Sequence, residues 1–103
     1  MNQTNILNHI GNTPLIEISV LSPNPRVRIF AKLEGQNPSG SIKDRIAKRM
    51  ILDAESEGLL SSGDTIIEAS TGNTALALAL VAKQRGYKLK SVVSTRTTPG
   101  MGE

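Results

Sequence analysis

The sequence predicts an α/β fold with a parallel sheet in a three-layer arrangement, preceded by an N-terminal β-hairpin. Three observations carry that expectation. Val27, Ile29, Ala31 and Leu33 alternate with Arg26, Arg28, Phe30 and Lys32, the period of a half-buried strand. Between Ser41 and Glu57, apolar residues recur three and four apart (Ile42, Ile46, Ala47, Met50, Ile51 and Ala54), the period of a helix. From there the chain reads helix, strand, helix, strand, the order of parallel strands joined by a right-handed crossover.

Taken in order, Ile10-Gly11-Asn12-Thr13-Pro14 is a turn ahead of a strand from Leu15 to Val20. Ser22-Pro23-Asn24-Pro25 turns the chain back, so that Val27 to Leu33 pairs with the first strand. Asn37-Pro38-Ser39-Gly40-Ser41 then leads into the helix, which Gly58 closes. After a turn at Ser61-Ser62-Gly63-Asp64, Thr65 to Glu68 reads as a short buried strand. The segment Ala69 to Thr74 opens a second helix, Asn73 to Arg85, which is apolar on all sides and so is expected to be buried against more than one neighbour. Leu89 to Val93 supplies the last strand.

Composition sets the limits. With 103 residues, of which 38% are hydrophobic and 20% charged, the chain forms one small domain; a domain of that size buries about two thirds of its unfolded surface. Only Phe30 and Tyr87 are aromatic, so the core is aliphatic. The net charge of +3 comes from 12 basic and 9 acidic residues spread along the chain, with almost no aromatic side chains to stack on bases, and argues against a nucleic-acid partner. Met1 to His9 lacks the features of a signal peptide, and no apolar run is long enough to span a bilayer, so a cytoplasmic location is expected. The absence of cysteine excludes thiolate metal sites, and the single histidine, His9, leaves no metal cluster to consider.

Two features carry chemistry. On a helical wheel Lys43 falls about 100° from Ile42, in the middle of the apolar stripe, whereas Asp44, Arg45, Lys48, Arg49 and Glu55 lie off it. Burial and the positive end of the helix dipole both disfavour an ammonium there and favour a neutral amine able to attack a carbonyl. The plainer alternative is a lysine at the edge of the stripe that reaches out to water. The second feature is the Ser70-Thr71-Gly72-Asn73-Thr74 turn, where a strand runs into a helix whose open N–H groups suit a carboxylate or phosphate, unless the turn merely caps the helix. In an open α/β sheet both features lie at the carboxyl edge. An amine nucleophile beside an anion cradle is what a Schiff-base enzyme acting on amino acids requires.

Three segments also resemble the successive N-terminal motifs of one family. Ile10-Gly11-Asn12-Thr13-Pro14-Leu15, the run Lys32-Leu33-Glu34-Gly35-Gln36-Asn37-Pro38-Ser39-Gly40-Ser41-Ile42-Lys43-Asp44-Arg45, and Glu68-Ala69-Ser70-Thr71-Gly72-Asn73-Thr74-Ala75 are similar, in order and spacing, to the cysteine synthases (O-acetylserine sulfhydrylases). These are fold-type II pyridoxal-phosphate enzymes. The resemblance implies that Lys43 forms the Schiff base with pyridoxal 5′-phosphate and moves protons at the α-carbon. Asn73 would hydrogen-bond the cofactor's ring hydroxyl, and the turn Ser70, Thr71, Gly72, Asn73 and Thr74 would hold the carboxylate of a small amino-acid substrate. The implied reaction is β-replacement on O-acetylserine by sulfide to give cysteine, in a family that is typically homodimeric. Asn37 and Ser41 would shape the loop and cap the helix. Pro38 favours cysteine synthase over cystathionine β-synthase and dehydratase relatives, which remain an alternative. A non-catalytic α/β module that binds an anion or a partner is a reading of a different class.

The chain departs from the family pattern in places. Ser70-Thr71 stands where Thr-Ser is usual, and Ala75 replaces a usual glycine. Residues 1–93 read as the N-terminal part of the family domain, incomplete, because the phosphate-binding glycine loop and the hydroxyl facing the pyridine nitrogen are expected further along. A truncated chain of this kind is expected to be inactive alone, with a second polypeptide as one source of the rest. The tail, residues 94–103, diverges. Codons of the form CGN-ACN-ACN for Arg96-Thr97-Thr98, preceded by C, would read Pro-Asp-Asn in the neighbouring frame, as the family does, so a frameshift is expected there.

Overall fold

The computed structural model describes residues 5–69 and 72–93. Its order is β1 (Leu15–Glu17), β2 (Phe30–Lys32), α1 (Lys43–Ser56), β3 (Thr65–Glu68), α2 (Asn73–Gln84) and β4 (Lys88–Ser91), with short 3-10 turns at Ile6–His9, Ser19–Leu21 and Glu34–Gln36. β1 and β2 pair antiparallel, with Ile16 opposite Ala31. β3 and β4 pair parallel, with Ile66 opposite Leu89. The predicted hairpin and the parallel pair joined through a helix are therefore both present. The fold is mixed α/β with small sheets.

The hairpin strands are shorter than the alternation predicts. Ser19 Oγ accepts the Ile29 N–H at 2.9 Å, so a side chain takes the place of a ladder carbonyl and the pairing gives way to a 3-10 turn. At the far end, Asn24 Oδ1 accepts the Arg26 N–H at 2.9 Å and the Asn24 carbonyl accepts the Val27 N–H at 3.0 Å, which holds the chain in its turn. β4 is likewise displaced, starting at Lys88 and ending at Ser91 rather than running from Leu89 to Val93.

The core is small and lies between the helices. Ala47 and Ile51 of α1 meet Ala77, Leu78, Val81 and Ala82 of α2, with Leu7 and Tyr87 closing the ends and Ile10, Leu60, Ile66 and Leu89 packed around them. Alanines at Ala47, Ala77 and Ala82 contribute little volume, so the two helices approach closely and the large side chains Leu78 and Val81 fill the space between. A polar tie crosses the same interface: Glu55 of α1 accepts from the Tyr87 hydroxyl and from Arg85, whose Nη2 lies 2.5 Å away. Arg85 first, and then Tyr87, hold the Glu55 carboxyl below its ordinary range, while the same carboxylate pushes the Tyr87 phenol up.

α2 packs against α1, β4 and the 3-10 turn at Ile6–His9, so it has more than one neighbour as expected, while Leu76 on its remaining side is exposed. One expectation about the helices needs correction. In α1 the covered sector is Asp44, Ala47 and Ile51, not the sector around Lys43. Ile42, Ile46 and Met50, expected beside Lys43 in a buried stripe, are 50%, 46% and 48% exposed. The apolar stripe on the wheel is about 180° wide, and one packing partner covers only part of such an arc.

Candidate active site around Lys43

Lys43 is the first residue of α1 and is half-buried, flanked by the exposed Ile42 and Ile46. It is therefore not sunk in an apolar wall as the wheel suggests. Its backbone N–H donates to Ser41 Oγ at 3.1 Å, a local serine turn ahead of the helix, whose N-cap position is Ile42 and carries no side-chain cap bond. Among the described residues its amine makes no hydrogen bond or ion pair.

The backbone that carries the amine is held from two directions. On the inner side is Asp44, which the wheel places on the polar face and which is 0% exposed. Its carboxylate folds back over the loop to accept the Ser39 N–H at 2.7 Å and the Ser39 hydroxyl. A carboxylate buried without such donors is costly; here it is satisfied and lies at the positive end of α1.

On the outer side Glu34 is the centre of a polar knot. It accepts from Arg45 Nε at 2.6 Å and Nη2 at 3.1 Å, from Asn37 Nδ2 at 3.0 Å and from the Thr13 hydroxyl. Asn37, 3% exposed, also accepts the Gly11 N–H on Oδ1 at 2.8 Å and donates to the Glu34 carbonyl at 2.8 Å, which is the loop-shaping role expected of it.

The Arg45 guanidinium first, then the Thr13 hydroxyl, lower the Glu34 carboxyl from 4.5 to about 2. A group depressed on folding contributes stability above its unfolded value and loses it as pH falls through the folded value. The Glu34 contribution is thus complete above about pH 4.5 and fades between there and about pH 2. Acid titration followed by circular dichroism should show a loss of stability across that window, and Glu34→Gln should remove the part due to this residue.

The second expected feature begins at α2. Gly72 has φ 73° and ψ −134°, and among the described residues no side chain caps the helix. The N–H groups of its first turn therefore have no side-chain acceptor among the described residues, the arrangement that receives an anion. Asn73 is exposed and Thr74 half-buried on that turn. Ser70 and Thr71, the other expected carboxylate ligands, lie outside the described residues, as does the tail from residue 94.

The Lys43 loop and α2 share a groove of about 850 Å³ in which Pro38 and Ser39 face Leu76, Ala79 and Leu80. An uncommitted amine and an open helix N-terminus suit a carbonyl and a carboxylate respectively, so these residues fit that half of the chemistry of a pyridoxal-phosphate site. The cofactor's phosphate has no partner assigned among them.

The family model described as pyridoxal-phosphate dependent enzyme matches residues 6–102. The chain belongs to this family. Cysteine synthase B of Salmonella typhimurium is 51% identical over 81 residues, which cover 79% of this chain and 27% of that protein. The solved structure of O-ureido-L-serine synthase superposes with a TM-score of 0.89 at 40% identity, covering 96% of this chain and 31% of that one. The O-acetylserine dependent cystathionine β-synthase from Helicobacter pylori superposes with a TM-score of 0.83 at 39% identity, covering 96% and 33%.

The architecture is thus that of the N-terminal region of fold-type II pyridoxal-phosphate enzymes, in partial form. The chain is homologous to the cysteine synthases and spans 27% of the length of the curated relative compared. Among the described residues no helix is long and apolar enough to cross a membrane.

Sequence reasoning missed the Glu34 knot and the buried Asp44. The signal for the first was a pair of opposite charges 11 residues apart, which has no helical or strand spacing to flag it. For the second it was an acidic residue in a first turn, a position that ordinary dipole complementarity also explains.

Proposed function

We propose that this chain carries the amine half of a β-replacement site and that Lys43 is its catalytic residue. The observation that carries this reading is an amine without a partner among the described residues, on a helix start pinned from both sides. Pyridoxal phosphate, when bound, supplies an electron sink for bonds at the substrate α-carbon. Lys43 would hold that group through its aldehyde, and its amine is placed to hold or return the proton at the substrate α-carbon. The Asn73 amide would donate to the ring hydroxyl. Gly72, Thr74 and the first-turn N–H groups of α2, with Ser70 and Thr71, hold the substrate carboxylate.

The proposed reaction is that of a cysteine synthase, O-acetylserine and sulfide giving cysteine. Homology to cysteine synthases and the motif around Pro38 favour this reading. The likeness to a cystathionine β-synthase supports a second one, with homocysteine as the acceptor. We place the complete reaction in an assembly with the rest of the fold, in a cytoplasmic protein, as a homodimer or with a second polypeptide. Residues 1–93 are proposed as the family portion and residues 94–103 as a tail altered by a frameshift, although the family model extends across most of that tail. The gene sequence tests the frameshift: an adjacent frame with no family-like continuation past Val93 removes it.

Incubation of the 103-residue chain with pyridoxal phosphate, borohydride reduction and peptide mass mapping test the site. One adduct per folded chain, at Lys43, is expected. Labelling scattered over the lysines of a chain that circular dichroism shows to be folded would overturn the assignment.

A further inference from the structure

The knot around Glu34 is costly for a chain with so small a core. It draws an acid, a base, a threonine and an asparagine from three separate segments, and two of these residues, Thr13 and Asn37, are almost fully enclosed at 6% and 3% exposure. Desolvation offsets much of the attraction in half-buried ion pairs of this kind, so their contribution to stability is smaller than the contacts suggest; their better-attested effect is to fix one geometry. What this knot fixes is specific. Arg45 lies two residues beyond Lys43 on α1, and Asn37 lies at the start of the loop that enters it.

The contacts show how closely the geometry is defined. Arg45 presents two nitrogens to the two Glu34 oxygens, the bidentate fork that sets direction as well as distance, and its Nη2 also reaches Thr13 Oγ1 at 3.3 Å. Both ends of the Asn37 amide are occupied, which ties the loop to Gly11 and to Glu34 at once. Gly11 stands at φ 82°, where a side chain is strained, and a Cβ there would come within 2.9 Å of Arg45 Nη1, so that the guanidinium would have to shift. Opposite, Asp44 clamps Ser39. Between these two anchors the Lys43 amine has no hydrogen-bond or ion-pair partner among the described residues.

We infer that Glu34 and Arg45 are positioning residues for Lys43: their ion pair, locked by Thr13 and Asn37, holds the Asn37–Ser41 loop and the first turn of α1 in one conformation. The amine then keeps only its own side-chain torsions to search. An amine that must meet a carbonyl carbon benefits from such preorganisation, since misplacement by about 1 Å can cost about 100-fold in rate. The inference rests on the reading of Lys43 as the aldehyde-reactive amine.

The test uses the full chain and the variants Glu34→Gln, which keeps the shape but removes the charge, and Arg45→Lys, which keeps the charge but removes the fork. Amide hydrogen exchange is read in two places in each protein, residues 37–46 and residues 77–82. Initial rates of acylation by a small neutral reagent are read at Lys43 and, as internal control, at Lys48 on the same helix. The share of borohydride-fixed pyridoxal phosphate at Lys43 is the third readout.

Exchange across residues 37–46 should rise at least 10-fold more than exchange across residues 77–82 in both variants. The Lys43 to Lys48 acylation ratio should change at least threefold, and the Lys43 share of the adduct should fall at least fivefold. Unchanged exchange at 37–46 would overturn the inference. So would equal loosening of 77–82, or loss of the fold in both variants, because the knot would then be a general element of stability. If the unsubstituted chain gives no adduct at Lys43, the catalytic reading fails, and exchange with the acylation ratio still decides whether the knot positions this turn.

Discussion

Leu78→Ala is expected to lower the unfolding free energy of this chain by about 2–5 kcal/mol. Leu78 is 1% exposed in a cluster that includes three alanines, whose short side chains cannot extend into the space it would leave. The vacated volume would remain as a cavity between α1 and α2. Domains of this size are stable by only about 5–15 kcal/mol, so this one truncation removes a large fraction of the total. Urea denaturation followed by circular dichroism is the check: the midpoint should fall with little change in slope. Leu76→Ala, on the exposed side of the same helix, should shift the midpoint far less. Equal losses at both sites would mean that the outer side of α2 is covered in solution.

Gly72→Ala is expected to cost about 1–3 kcal/mol, and for a different reason. A φ of 73° with ψ of −134° lies where a side chain is strained, yet a Cβ at Gly72 would meet nothing within 4 Å. The penalty is thus conformational and not steric, and relief comes only by turning the peptide that begins α2. That turn would swing the first N–H groups away from any anion they hold. The variant should therefore lose stability and also bind a carboxylate such as acetate more weakly than the parent, as titration by nuclear magnetic resonance would read from the amide shifts of Asn73 and Thr74. A variant as stable as the parent would show that the chain adopts another conformation at Gly72.

These elements also show what the sequence could and could not convey. The parallel pair and the two helices are legible because each lies within a run whose period matches its structure, and because Ser41 and Gly58 mark the ends of α1 within two residues. The hairpin is legible as a pairing but not in length, since Ser19 ends it by a side-chain bond that periodicity does not encode. Helix facing is less legible still. The wheel shows that Ile42, Ile46, Ala47, Met50 and Ile51 share a broad side, but not that α2 covers only the part with Ala47 and Ile51. For the site, the position of Lys43 at a helix start is local information. The knot that anchors it joins Thr13 to Arg45 across 32 residues, a contact set by the folded chain alone.

The two-stranded sheets have a consequence for how copies of this chain behave together. Among the described residues each strand has one neighbour, so each presents a rim of unanswered N–H and C=O groups. Such rims recruit other extended chains, and apolar residues such as Ile67, 67% exposed on β3, add adhesion. The lysines are gatekeepers: Lys32 on β2 and Lys88 and Lys90 on β4 are all exposed and set like charge against like when two rims approach. That repulsion extends about 10 Å at 0.1 M salt and only about 3 Å at 1 M. Raising the salt concentration is therefore expected to increase association between copies of this chain, as light scattering would read.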